Sequence, residues 1–138
     1  MARCSSPGEL LQARFDWLKQ GNFSAIYRSY HPDAQFREHF PNEQEYLAFA
    51  HDQGLAEIEI FNLQIVEETV RGRLAKIFSV QEFRFQGETH HYLDVTTLRL
   101  VDDQWYVLSG KRVACESPLE SAQLTRDMVE KHPQAIVY

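Results

Sequence analysis

From Glu57 onward, three short turn signals cut the chain into four strand-length segments, and no other feature restricts the possible folds as much. Ile58 and Ile60 alternate with Glu57 and Glu59, after which Phe61, Leu63 and Ile65 take the apolar positions. Period-two alternation sends successive side chains to opposite faces of a strand. The phase slips by one residue at Ile60–Phe61, and a β-bulge, which bends a strand, accounts for it. Arg71-Gly72 reads as a turn, Arg73 to Phe85 as a second strand and Gln86-Gly87 as a second turn. Glu88 to Val101 is a third strand, and Asp102-Asp103 turns the chain into Gln104 to Val113. Connections this short join antiparallel neighbours, so the pattern predicts an antiparallel meander. Each segment exceeds the usual length of about five or six residues, and long strands twist and coil. A bent sheet with helices on its inner side encloses a space that side chains do not wholly fill, which is a physical route to a pocket.

The segment before the sheet is helical. Ser6-Pro7-Gly8-Glu9 has a cap, a proline suited to the first helical position and an acid that completes a capping box. Leu11, Phe15 and Leu18 follow at helical spacing, and Gly21 stops the run. Asn22 caps a short second helix with Phe23, Ile26, Tyr27 and Tyr30 on one face, closed by Pro32 because the residue before proline avoids the helical region. A loop through Phe36 and Pro41 leads to Asn42 and Glu45, which open a third helix carrying Tyr46, Phe49 and Ala50. Past the sheet, Ser117-Pro118-Leu119-Glu120 is another capping box. It predicts a C-terminal helix to about Lys131 with a weak apolar face, free to meet a partner chain.

Composition narrows the function classes. With 138 residues, 43% of them hydrophobic and 25% charged, the chain fits one globular domain. Its bounds are 1–138, with a core of about 7–113 and a helical extension of 117–132. The net charge of -6 disfavours nucleic acid, since the basic run Arg71, Arg73 and Lys76 is offset by Glu67 and Glu68. No stretch of about 20 apolar residues is present, so no membrane span is expected. The first residues contain no apolar leader segment, and Cys4 and Cys115 match no metal-ligand spacing. Both cysteines read as thiols of a reducing compartment, which points to the cytoplasm.

Few residues carry a chemical signal. Imidazole side chains ordinarily change charge near neutral pH, which makes His31 a candidate acid or base; the plainer alternative is a histidine set against its helix C-terminus. Asp94 lies mid-strand among apolar and β-branched neighbours, where aspartate is disfavoured. Its face carries His90, Tyr92, Thr96, Leu98 and Leu100; the opposite face carries His91, Leu93, Val95, Thr97, Arg99 and Val101. Periodicity leaves open which face lines the cavity. Tyr27, Tyr30, Tyr92 and Trp105 are suited either to line it with polar tips or to fill the core. His90 and His91 point to opposite faces and do not share a metal in the ordinary way, so no metal or cofactor is expected. Neither a phosphate-binding glycine loop nor a nucleophile elbow occurs.

Helices followed by a long bent meander match the order of the NTF2-like, cystatin-like cone. Four local motifs resemble the NTF2-like middle domain of YchJ-type, SEC-C-associated proteins. Leu10-Leu11-Gln12-Ala13-Arg14-Phe15 is similar to their "LMRSRY" and Tyr30-His31-Pro32 to their "WHP". Asp94-Val95-Thr96-Thr97-Leu98 is similar to "ERSRF", and the segment Gln104 to Gly110 to "QWYYIDG". The likeness spans Leu10 to Val113, without the Cys-rich zinc segments such proteins carry. It implies an α+β cone, with N-terminal helices on a strongly curved sheet of four or slightly more antiparallel strands, and a C-terminal helix. It also implies that the Asp94 face lines the cavity, with Arg14 either a structural partner of Asp94 or, together with Asp94, a group of the pocket. The function expected is a small-molecule-binding or interaction module for a small apolar or amphipathic ligand. It would dimerise through the sheet face of Leu93, Val95 and Val101. The alternative is a proton-transfer enzyme of the isomerase or dehydratase kind, with Asp94 or His31 as base and a tyrosine as donor, an analogy of fold alone.

Overall fold

A computed structural model describes residues 6–115, 125–133 and 135–138. Its element order is α1 (Pro7–Gln20), α2 (Phe23–Arg28), α3 (Gln35–His39), α4 (Glu43–Asp52), a 3-10 turn (Leu55–Glu57), β1 (Glu59–Arg71), β2 (Leu74–Phe85), β3 (Glu88–Val101), β4 (Gln104–Cys115), α5 (Arg126–Glu130) and β5 (Ile136–Val137). The strands form one antiparallel sheet in the order β1-β2-β3-β4-β5. The chain is therefore α+β.

Local chemistry sets the element ends. The Ser6 hydroxyl accepts from the Glu9 amide, and Gly21 closes α1 at φ 70°. The Asn22 and Asn42 side chains accept from the amides of Ala25 and Glu45, relieving donors that a helix start leaves unpaired. Gln86-Gly87 and Asp102-Asp103 all have positive φ, as primed hairpin turns require. The ladder of β1 on β2 slips between Ile60 and Asn62, and again between Ile65 and Glu67.

The helices depart from the pattern expected of the sequence. Helix α2 ends at Arg28, because Tyr30 forms a parallel bridge with Val107 of β4. His31 therefore lies beyond the helix, its amide donating to the Val107 carbonyl at 2.8 Å. The loop through Phe36 contains α3, and Phe36 stacks on Tyr30 with ring centroids 3.9 Å apart. The Ser117 capping box lies outside the described residues. Within them, Thr125 takes extended backbone and caps α5, so no single helix runs through it to Lys131.

Two apolar layers flank the sheet. On the inner face, α1, α2 and α4 cover Ala75, Ile77, Leu98, Trp105 and Val107. On the outer face, Phe78, Leu93, Val95, Val113 and Cys115 pack under Val129 of α5. Leu93 and Val95, expected at a dimer interface, are thus covered by their own chain, and the weak-looking C-terminal helix contributes a fully buried valine. After α5 the chain reaches the β4 edge, where Tyr138 and Gly110 exchange backbone hydrogen bonds of 2.9 and 3.0 Å. A Cβ on Gly110 would fall inside the Tyr138 ring. Gly110→Ala is expected to cost about 1–3 kcal/mol in urea unfolding, as overpacking does. In a Tyr138→Ala background the same change should cost almost nothing, which a double-mutant cycle measures.

Candidate functional site

The inner layer is incomplete. Between α1, Tyr46 of α4 and the inner sheet face is a cavity of about 600 Å³. Apolar walls come from Leu11, Phe15 and Leu18 of α1, with Ile26, Phe36 and Phe83. Phe15 and Phe83 lie parallel, centroids 6.0 Å apart. Leu55, Ile58, Phe85 and Ile136 line it where the chain is more exposed, so the mouth is at the β2–β3 turn end. At the other end of the sheet, Leu98, Trp105 and Val107 are buried and pack as core.

The polar groups lie further in. Arg14 projects from α1, donating one N–H to the Ser29 hydroxyl and another to the Tyr30 hydroxyl at 3.1 Å. Its guanidinium also sits 4.6 Å from the centroid of the Tyr30 ring. Tyr46 adds a hydroxyl whose pKa is pushed up to about 12, first by burial and then by the neighbouring Tyr30; Arg14 opposes the rise. Thr96, Gln81, Tyr92 and Arg112 complete the sheet wall, with Tyr138 beside them, while His90 lines it nearer the β2–β3 turn.

Asp94 shares the face of Tyr92 and Thr96 but is sealed behind that wall, 0% exposed. Its partner is Arg112, its cross-strand neighbour, whose Nε donates to Oδ2 at 3.1 Å. Thr96 donates to Oδ1 at 2.5 Å, and the Tyr138 hydroxyl lies 2.8 and 2.7 Å from the two carboxylate oxygens. Arg112 Nη2 donates to Gln81 Oε1 at 3.1 Å, and Gln81 donates to the Ser79 hydroxyl. Burial alone would lower the Arg112 pKa; Asp94 and then Tyr138 reverse that, and it is raised. Tyr138 is held well above the usual phenol range, by burial first and by Asp94 second. These directions hold the protons of Arg112 and Tyr138 in place around Asp94.

Of the residues proposed from sequence as bases or pocket lining, Arg14, Tyr30, Tyr92 and Thr96 line the cavity, as does His90. The rest do not. Tyr27 is core, donating to the Phe40 carbonyl at 2.8 Å, and Trp105 is core at the closed end. His31 lies off the cavity, its Nδ1 accepting from the Asp33 amide at 3.0 Å. The expected Arg14–Asp94 pair is not formed, because Arg112 on the adjacent strand already occupies the carboxylate. Sequence reasoning missed Arg112, Gln81 and Tyr138. A charged residue mid-strand beside another charged strand was the available signal for Arg112; Tyr138 had none. Cys4 lies outside the described residues, and Cys115 is buried on the outer face.

No group of three or more His, Cys, Asp or Glu among the described residues is arranged to hold a metal ion. No described helix is long and apolar enough to cross a membrane. No family model and no curated protein matches the chain. Among solved structures it is similar to a SEC-C motif containing protein from Rhodopseudomonas palustris, determined in solution. The TM-score is 0.64 at 18% identity, covering 81% of this chain and 82% of that one. At that identity the likeness is one of fold.

Breaking one half of a buried ion pair strands the other, so Asp94→Ala is expected to destabilise the chain by about 3–5 kcal/mol in denaturant titration. Alkali gives a second check. Tyr46 holds its proton to higher pH folded than unfolded. Its contribution is complete below pH about 10 and is lost as pH rises toward about 12. Tyr46→Phe should flatten that alkaline fall in melting temperature.

Proposed function

We propose that the chain is a small-molecule-binding module, an NTF2-like cone that works in the cytoplasm as a homodimer and takes a small apolar or amphipathic ligand. The cavity carries this reading. About 600 Å³ is within the range of about 300–1,000 Å³ typical of ligand sites, and apolar walls with a few convergent polar groups are their usual make-up. The aromatic rings offer broad contact at low conformational cost. The proton-transfer reading has no comparable support. Asp94 is saturated behind the wall, and His31 is turned to its own loop.

The dimer half of the proposal moves from the covered outer face to β1. This strand of 13 residues is an edge of the sheet and leaves Phe61, Val66 and Val70 about half exposed. A long edge with apolar side chains is suited to pairing with a second copy. Sedimentation should then give twice the monomer mass, and Val66→Lys should shift it toward monomer. A monomer at every concentration would remove this half of the proposal.

N-phenylnaphthylamine, a neutral probe that brightens in apolar surroundings, should bind saturably in the micromolar range. Leu18→Trp, which fills the mouth, is expected to weaken that binding at least about tenfold, or about 1.4 kcal/mol, with little change in melting temperature. A linear, unsaturable response from the unmodified chain would remove the ligand reading.

A further inference from the structure

We infer that the ligand of this cavity is an amphipathic monocarboxylate, its head group between Arg14 and Arg112 and its apolar body running out to the mouth. The inference rests on the ligand-binding reading and adds the ligand's charge and orientation.

The charges on the wall do not cancel. Two guanidiniums, Arg14 and Arg112, face the cavity, and among the described residues no Asp or Glu lines it. The nearby carboxylate, Asp94, is committed to Arg112. Arg14 is only half-buried, yet its hydrogen bonds go to the neutral hydroxyls of Ser29 and Tyr30, and it makes no ion pair among the described residues. One positive charge is therefore uncompensated in a largely apolar recess, where an unpaired charge is costly and a matching anion is favoured.

The unused donors point the same way. Arg112 gives Nε to Asp94 and Nη2 to Gln81. Its Nη1 makes no hydrogen bond among the described residues, and 29% of its side chain stays accessible. The Tyr30 hydroxyl accepts from Arg14, so its own proton is available. A carboxylate accepts on both oxygens and fits the planar guanidinium fork. An amine would meet like charge, and an alcohol would leave the Arg14 charge uncompensated.

Polarity runs along the cavity and sets the direction. Gln81, Thr96 and Tyr30 are buried, whereas Leu18, Leu55 and Phe85 are half-buried and Ile136 is 56% exposed. The head group therefore goes in first, and the apolar part stays among Phe83, Phe85 and Ile136.

Decanoate, decanol and decylamine share a tail and differ in head charge. In competition against N-phenylnaphthylamine at pH about 8, with the full chain, decanoate should displace the probe at a concentration at least about tenfold lower than decanol. Decylamine should be weaker still. Arg14→Met should abolish the preference for decanoate while keeping probe binding, which also reports that the variant folds; Arg14→Lys should retain most of the preference. Arg112→Lys is the second arm, expected to reduce the preference. Equal displacement by decanoate and decanol, or unchanged decanoate binding by Arg14→Met, would overturn the inference and leave the binding module standing. No saturable probe signal together with no calorimetric heat from decanoate would overturn both.

Discussion

A carboxylate with no exposed surface lies near the middle of the sheet, and the inner architecture follows from how it is satisfied. Asp94 would be expensive to bury alone. Arg112 supplies charge from the adjacent strand, Thr96 supplies a hydroxyl from its own strand, and Tyr138 supplies another from the far end of the chain. Each donor constrains something else. Arg112 reaches on to Gln81 and so ties β4 to β2 across β3. Tyr138 needs its ring over Gly110, which fixes β5 on the sheet edge. That in turn leads the preceding segment, with α5, over the outer face. A buried ion pair of this kind is a weak source of net stability. It does, however, join three strands and the C-terminal segment through one set of partners.

The same network gives the cavity its character. Arg112 lies between rings, about 5 to 6 Å from the centroids of Phe83, Tyr92 and Tyr138, the geometry of cation–π contact. One side of its guanidinium is spent on Asp94 and Gln81, and the rest remains on the wall. Arg14 opposite is held by hydroxyls rather than acids. The interior is thus apolar in area and positive in sign, although the whole chain carries a net charge of -6. Local sign, more than net charge, governs what enters a recess with low-dielectric walls.

How far the site could be read from sequence turns on register. From the Asp102-Asp103 turn, Val101 pairs with Gln104 and Leu98 with Val107. Continued unbroken, that ladder would set Lys111 opposite Asp94. A one-residue shift after Leu98 pairs Thr97 with Ser109 and brings Arg112 opposite Asp94. A shift of one also changes the face each side chain takes. Lys111 therefore turns outward and donates to the Glu130 carbonyl at 2.9 Å. Nothing in the letters Leu98 to Lys111 announces this bulge, whereas the slip at Ile60–Phe61 shows in the apolar pattern itself.

Local chemistry was legible wherever a small set of residue types satisfies a backbone need. Ser6, Asn22 and Asn42 cap helices, Gly21 ends one, and residues 86–87 and 102–103 take the positive φ of tight hairpins. Those requirements are met within a few residues, so the four strands of the meander, their order and the starts of α1, α2 and α4 could be read directly, whereas α3 and β5 could not. The partners of Asp94, the closure of the outer face by Val129 and the arrival of Tyr138 bring together residues as distant in sequence as Asp94 from Tyr138 and Phe78 from Val129. Their positions follow from packing, bulges and charge pairing after the chain has folded, and a linear pattern holds no record of which distant side chain arrives first.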